Sequence, residues 1–222
     1  MRKGEATRER ILEVAEASVL AKGFGATSIE EVITEAGITK SGFFYHFRDK
    51  NELAHELLRR YIAEDHRILD ELFGRAANLS DEPLQAFLIA LKMLADLMGD
   101  LPGGHPGCMI ASICYQERLF DRRVVNLNRE AIESVNARVL AHLKTIAAVS
   151  PPREPVDLTV VAEMLSCIID GGIIMAKVTG DPARLAYQIL AYRAFIKMLF
   201  AAPVRDIPSG GVPSRQSSPA AG

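Results

Sequence analysis

Tryptophan is absent from this 222-residue chain, and aromatic residues make up only 6% of it. Cysteine is scarce too. Cys108, Cys114 and Cys167 form an odd, low count, which argues against a secreted disulfide framework. Neither sign of charge dominates: the formal net charge is −2, so bulk charge alone points to no nucleic acid. No uninterrupted apolar run reaches the roughly 18–20 residues of a membrane helix. Arg2-Lys3-Gly4-Glu5 leads into an amphipathic stretch, unlike the apolar centre of a secretion signal. A cytoplasmic protein with no membrane partner is therefore expected. The chain also lacks a phosphate-binding glycine loop, a nucleophile elbow and a paired-carboxylate signature, so no enzyme is expected. Its five histidines form no His-x-x-x-His pair and its cysteines no Cys-x-x-Cys pair, so neither metal nor cofactor is expected.

What is present reads as helix. Apolar residues recur at three and four, which predicts an all-α protein with room for one or two domains. Ile11, Leu12, Ala15 and Val19 stripe a first helix over 7–22, which Gly23 ends. Ser28 with Glu31 is a capping box that opens a second helix, and Gly37 stops it. Thr39 caps a short third helix ending near 47. Asp49 with Glu52 opens a long fourth over 50–75. Further helices are expected over 84–98, 108–120, 122–148, 156–178 and 182–201. A Gly- and Pro-rich loop over 99–107 and breaks at Pro151-Pro152 and Gly180-Asp181-Pro182 separate them. The last two helices are apolar on more than one face, so each needs more than one partner. The Pro-, Ser- and Gly-rich stretch 203–222 reads as a disordered tail.

Residues 27–53 concentrate chemistry suited to DNA. Thr27, Ser28 and Thr39 stand at helix starts, where hydroxyls and free amides can hold phosphate oxygens. Lys40 can reach a guanine edge or a phosphate. Ser41 and Gly42 are small, which lets a helix approach the groove closely. Tyr45 offers a phosphate hydrogen bond and Lys50 a phosphate-neutralising charge. Arg2, Lys3, Arg8, Arg10 and Arg48 allow a basic rim, with Glu13, Glu16, Glu30, Glu31 and Glu35 expected elsewhere.

Gly23, Phe24, Thr27, Ser28, Ile29, Val32, Ala36, Gly37, Ile38, Thr39, Phe43, His46, Phe47, Lys50 and Leu53 together resemble the signature of the TetR family of transcriptional regulators. The stretch 171–182 resembles the eighth helix and turn of such proteins. The resemblance implies a helix-turn-helix DNA-binding domain over 1–48 and a helical ligand-binding and dimerisation domain over 49–202. His46 stands where the family usually has histidine. Phe44 replaces a frequent phosphate-binding tyrosine, Ser41-Gly42 departs from the usual order, and Ile33 replaces a usual alanine. The implied function is a homodimeric repressor, paired through its last two helices and released from a near-palindromic operator by a small apolar ligand. Met93, Leu97, His105, Met109, Ile113, Tyr115, Met164, Cys167 and Met175 are the candidate lining residues. Glu117 and Asp170 read equally as lining or as solvated and capping groups. Two other readings stay open. One is a helical ligand-binding or interaction protein whose first domain ignores DNA. The other is a redox or electrophile sensor using Cys108, although no basic neighbour is evident to activate that thiol.

Overall fold

The computed structural model describes residues 3–200. The expected tail over 203–222 lies outside the described residues, as does Arg2. Among the described residues the chain forms nine α-helices and no strand. They are α1 (Lys3–Lys22), α2 (Ile29–Ala36), α3 (Lys40–His46), α4 (Lys50–Leu79), α5 (Pro83–Gly99), α6 (Met109–Cys114), α7 (Arg122–Val149), α8 (Leu158–Thr179) and α9 (Arg184–Phe200). The all-α expectation is met.

The helix starts are the ones local chemistry dictates. Ser28 Oγ accepts the Glu31 amide and Thr39 Oγ1 the Gly42 amide, both at 3.1 Å. Asp49 accepts the Glu52 amide at 2.9 Å, while the Glu52 carboxylate closes back on the Arg48 amide at 2.7 Å. Gly37 ends α2 at φ 65°, a left-handed turn that a side chain would strain.

Three boundaries differ from expectation. α1 begins at Lys3, and α4 continues to Leu79 because nothing in Ala76-Ala77-Asn78 stops it. The stretch 108–120 is not one helix. It breaks after Cys114 and resumes as a single 3-10 turn over Glu117–Leu119. The reason is tertiary. Gln116 Oε1 accepts the Gly25 amide at 2.7 Å, and Phe120 meets Phe24 edge to face at 5.0 Å, contacts a continuous helix could not keep.

Of three apolar clusters among the described residues, two are large. The first joins Ile11, Ala15 and Val19 of α1 to Phe43 of α3, Leu53 and Leu57 of α4, and Met109 and Ile113 of α6. The second gathers Phe87 and Leu91 of α5, Val139 and Leu143 of α7, Val161 and Leu165 of α8, and Ile196 of α9. Tyr192 sits inside it with its hydroxyl donated to the Val161 carbonyl at 2.8 Å, so no polar atom is stranded there. The outer side of α8 is different. Val160, Ile174, Met175 and Val178 stand exposed beside Tyr187 and Met198 of α9.

Candidate DNA-reading face and ligand cavity

Helix α3 turns Phe43 inward, wholly buried, and leaves the opposite side open. Tyr45 is 82% exposed, Phe44 is exposed, and Ser41 lies beside them at the surface. His46 is half-buried, with its ring edge-on to Tyr45 at 4.9 Å. Gly42 keeps the face low, since a Cβ there would crowd Thr39 Oγ1 at 3.2 Å. Thr39 and Lys40 flank the start of the helix in the open. The Lys40–Tyr45 surface thus projects outward from the monomer, the condition a groove-reading helix needs.

The rim is cationic but paired. Lys40 lies 3.7 Å from Glu30, Lys22 meets Glu31, and Arg48 meets Asp49 at 3.1 Å. Glu30 and Glu31 therefore stand beside the reading face and not away from it, because Ser28 starts α2 so that its first turn lies next to α3. Arg8 and Arg10, also expected on the rim, are engaged within the protein. Arg8 binds Glu56 at 2.6 Å and stacks over Phe47, and Arg10 Nε donates to the Ala36 carbonyl at 2.6 Å.

Two of the expected phosphate ligands are engaged inside the protein. Thr27 is buried, with Oγ1 donating to the Gly23 carbonyl at 3.0 Å and lying 3.0 Å from Ser18 Oγ. Its hydroxyl holds the turn between α1 and α2. Lys50 Nζ donates to the carbonyls of Phe24 and Thr27 at 2.5 and 2.6 Å. Desolvation pulls its pKa below the ordinary lysine value, as suits a clamp within the fold. Ser28 remains exposed at the start of α2.

In the second half of the chain a cavity of about 120 Å³ opens between α4, α5, α7 and α8. Ile68 and Leu69 of α4, Leu94 of α5, Val135 of α7 and Ile173 of α8 make its wall largely apolar. Asp65 and Asp170 also line it, with Tyr61, His105 and Cys108. An outer hollow of about 420 Å³ adjoins it through Ile110, Ile132 and Asp170 and runs out past Asn128 and Tyr115. Of the nine lining candidates, His105 reaches the inner cavity, and Ile113 and Tyr115 reach the outer hollow. Glu117 also lines the outer hollow. The other six lie elsewhere. Met93 and Leu97 face a groove against α4, Met109 is buried in the first core, and Met164 packs in the second. Cys167 and Met175 lie on the exposed side of α8. The cavity takes Leu165, Ser166, Ile169, Asp170 and Ile173 from α8, so the candidates chosen there miss by about one position, roughly 100° of helix rotation.

The side-chain chemistry of the cavity is unusual on α4. Burial pushes the Asp65 carboxyl up to about 6, and the neighbouring Glu64 charge adds to it. Burial, with the Asp170 charge behind it, pushes the Cys108 thiol to about 12. That thiol stays protonated at neutral pH, which is the opposite of what a reactive sensor needs. Burial and the Lys177 charge hold His105 below its ordinary value, so it is neutral. Sequence reading missed Asp65, yet a signal was there. Tyr61, Asp65, Ile68, Leu69 and Leu72 form a single helical stripe, and an acid on an apolar stripe is out of place.

Residues 11–57 match the model of the bacterial regulatory proteins of the tetR family. Over that stretch the chain is similar to the TetR family. The family match covers the N-terminal region, and curated relatives match over part of the chain. The transcriptional repressor KstR2 of Mycolicibacterium smegmatis is 30% identical over 74 residues, 33% of each chain. The repressor NemR of Escherichia coli is 33% identical over 66 residues, 30% of this chain and 33% of that one. The match thus spans about a third of the length of these relatives. Solved structures extend the likeness in fold to nearly the whole chain. A TetR-family regulator from Agrobacterium tumefaciens aligns with a TM-score of 0.74 at 20% identity, covering 90% of this chain and all of that one. Reduced E. coli NemR aligns at 0.70 and 19%, covering 89% and 100%.

In this chain the segment that forms part of the cavity wall also touches α1 and the turn after it. His105, Cys108 and Ile110 line the cavity, and between them Gly107 lies against the end of α1. A Cβ on Gly107 would come 2.5 Å from the Leu20 carbonyl oxygen. Gln116 then binds Gly25, and Asn51 Oδ1 accepts the Asp121 amide at 2.9 Å. One continuous segment, 105–121, therefore forms part of the cavity and rests on the turn that carries α2 and α3.

Proposed function

We propose that this chain is a ligand-responsive, homodimeric DNA-binding regulator, acting as a repressor in the cytoplasm. The observation that carries this reading is the bared Lys40–Tyr45 face on a short helix capped by Thr39. Residues 1–48 form the reading unit and 49–202 the ligand-binding and pairing unit. Ser28, Thr39, Lys40, Ser41, Gly42, Phe44, Tyr45 and His46 form the DNA contact set. Two copies of α3 would enter major grooves one helical turn apart on a near-palindromic operator. The named relatives are repressors, which supports that direction of control.

Ligand in the cavity would shift the 105–121 segment, and with it the turn under α2 and α3. Ligand and operator then weaken each other by one common factor.

Lys40→Ala and Tyr45→Phe test the reading face. Both side chains are exposed, so both variants should fold as the parent does. Gel shifts against DNA upstream of the coding sequence should show Lys40→Ala weakened by roughly tenfold. If its contact is a phosphate, the slope of log affinity against log salt falls by about 1. Unchanged affinity in both variants removes α3 as the reader.

Pairing through α8 and α9 is supported by their bare apolar stripe. α8 is long and apolar enough to cross a membrane, yet only 28% of its most apolar stretch is buried within one copy. A second copy of the same surface would cover it, as a two-fold interface requires. Ile174→Glu should leave the monomer folded and elute at half the parent mass on gel filtration. Loss of the second half-site contact should cost roughly 10²-fold in operator affinity. A variant that stays dimeric sinks this assignment.

A further inference from the structure

We propose that the cavity selects a compact organic amine, its cationic nitrogen taken by Asp65 and its apolar body filling the space between α4, α5 and α8, with Asp170 as a second acid on the wall. This rests on the reading of the cavity as the effector site and goes further by naming the ligand class.

The argument is one of charge and satisfaction. Both charged residues on the inner wall are acids, and no lysine or arginine lines it. Asp65 has neither a hydrogen bond nor an ion pair among the described residues, and its elevated pKa marks an anion held without a counterion. Asp170 has as neighbour the Cys108 thiol, a weak donor. His105 is neutral and supplies no positive charge. Two cations lie nearby without lining the inner wall. Lys177 donates to the Pro106 carbonyl, and Arg129, at the outer hollow, donates to Asn126 at 2.6 Å. The outer hollow offers a further acceptor. Asn128 Nδ2 donates to the Ile110 carbonyl at 3.2 Å, which fixes the amide and leaves its buried Oδ1 without a donor.

A neutral occupant would remove water from two carboxylates and give nothing back, and an anion would be repelled. An ammonium satisfies the unpaired Asp65, while the isoleucines and leucines receive a ring or short alkyl body. The inner volume of about 120 Å³ limits that body to about the size of a phenyl ring.

The test uses the purified full chain at neutral pH and three matched probes: 2-phenylethylamine, 2-phenylethanol and phenylacetate. Calorimetry should show the amine binding at least about tenfold tighter than the alcohol, a difference of 1.4 kcal/mol, with phenylacetate weakest. The preference should vanish in the Asp65→Asn, Asp170→Asn double variant. An amine no better than the alcohol overturns the inference, as does a preference that survives the double variant, or no binding by any probe at millimolar concentration. The three-probe comparison on the parent chain stands even if the variants fold poorly. Gel shifts on the same samples separate the two readings. A chain that prefers the amine but never binds DNA keeps this inference and loses the regulator. A chain that binds and releases DNA while ignoring ligand charge does the reverse.

Discussion

Asp65→Asn is expected to stabilise the ligand-free protein at pH 7 by about 3 kcal/mol. The figure follows from a carboxyl moved from an ordinary 3.8 to about 6, at 1.36 kcal/mol per unit. The sign is set by which form the fold prefers. A raised pKa means the native state favours the protonated acid. The contribution of Asp65 is therefore most favourable below about pH 4 and is lost as pH rises through 6. Asparagine keeps the shape and never ionises, so the advantage of the variant should open between pH 4 and 6 and stay flat above. Denaturant unfolding of both proteins across that window reads it directly. Equal stability at pH 7, or a gain that persists at pH 3.5, would show that Asp65 is not desolvated as described. Functional sites often retain such a cost, because removing it removes the ligand contact.

The second large effect is expected at Gly107. Its φ of 152° lies where side chains are rarely found, and an added Cβ would strike the Leu20 carbonyl oxygen at 2.5 Å. Neither partner can yield cheaply, since one is backbone at the end of α1. Gly107→Ala should cost on the order of 3 kcal/mol and should loosen the tie between cavity and reading helices. Gly103 is the control. It too has a positive φ, 74°, but nothing lies within 4 Å of a Cβ there. Gly103→Ala should cost only about 1 kcal/mol. Thermal unfolding of the pair isolates the steric part, and equal losses would mean the Gly107 contact is not tight.

How far the sequence could be read depended on the range of each interaction. Ser28, Thr39, Asp49 and Gly37 act within four residues of themselves, and their spacing in the chain is their mechanism. The helix-turn-helix was legible for that reason. Thr27 and Lys50 carry the same residue types a phosphate site would use, but their partners are carbonyls and hydroxyls brought in from other elements. Spacing cannot distinguish the two. The break after Cys114 depends on Gly25, 91 positions from Gln116. The cavity was harder still. Helix periodicity says that α8 has an inner side, but α8 is apolar nearly all round, so Met164, Cys167 and Met175 looked as good as Leu165, Ile169 and Ile173. Asp65 was the one cue that broke the pattern.

The carboxylates beside the reading helix have a consequence for searching. With Glu30 facing Lys40, Glu31 facing Lys22 and Asp49 facing Arg48, the face is screened by its own acids before any nucleic acid arrives. Every phosphate taken up must evict one of them. That toll falls on all sequences alike, so chance encounters along a chromosome are brief, and only a site that adds base-edge contacts can hold the protein in place.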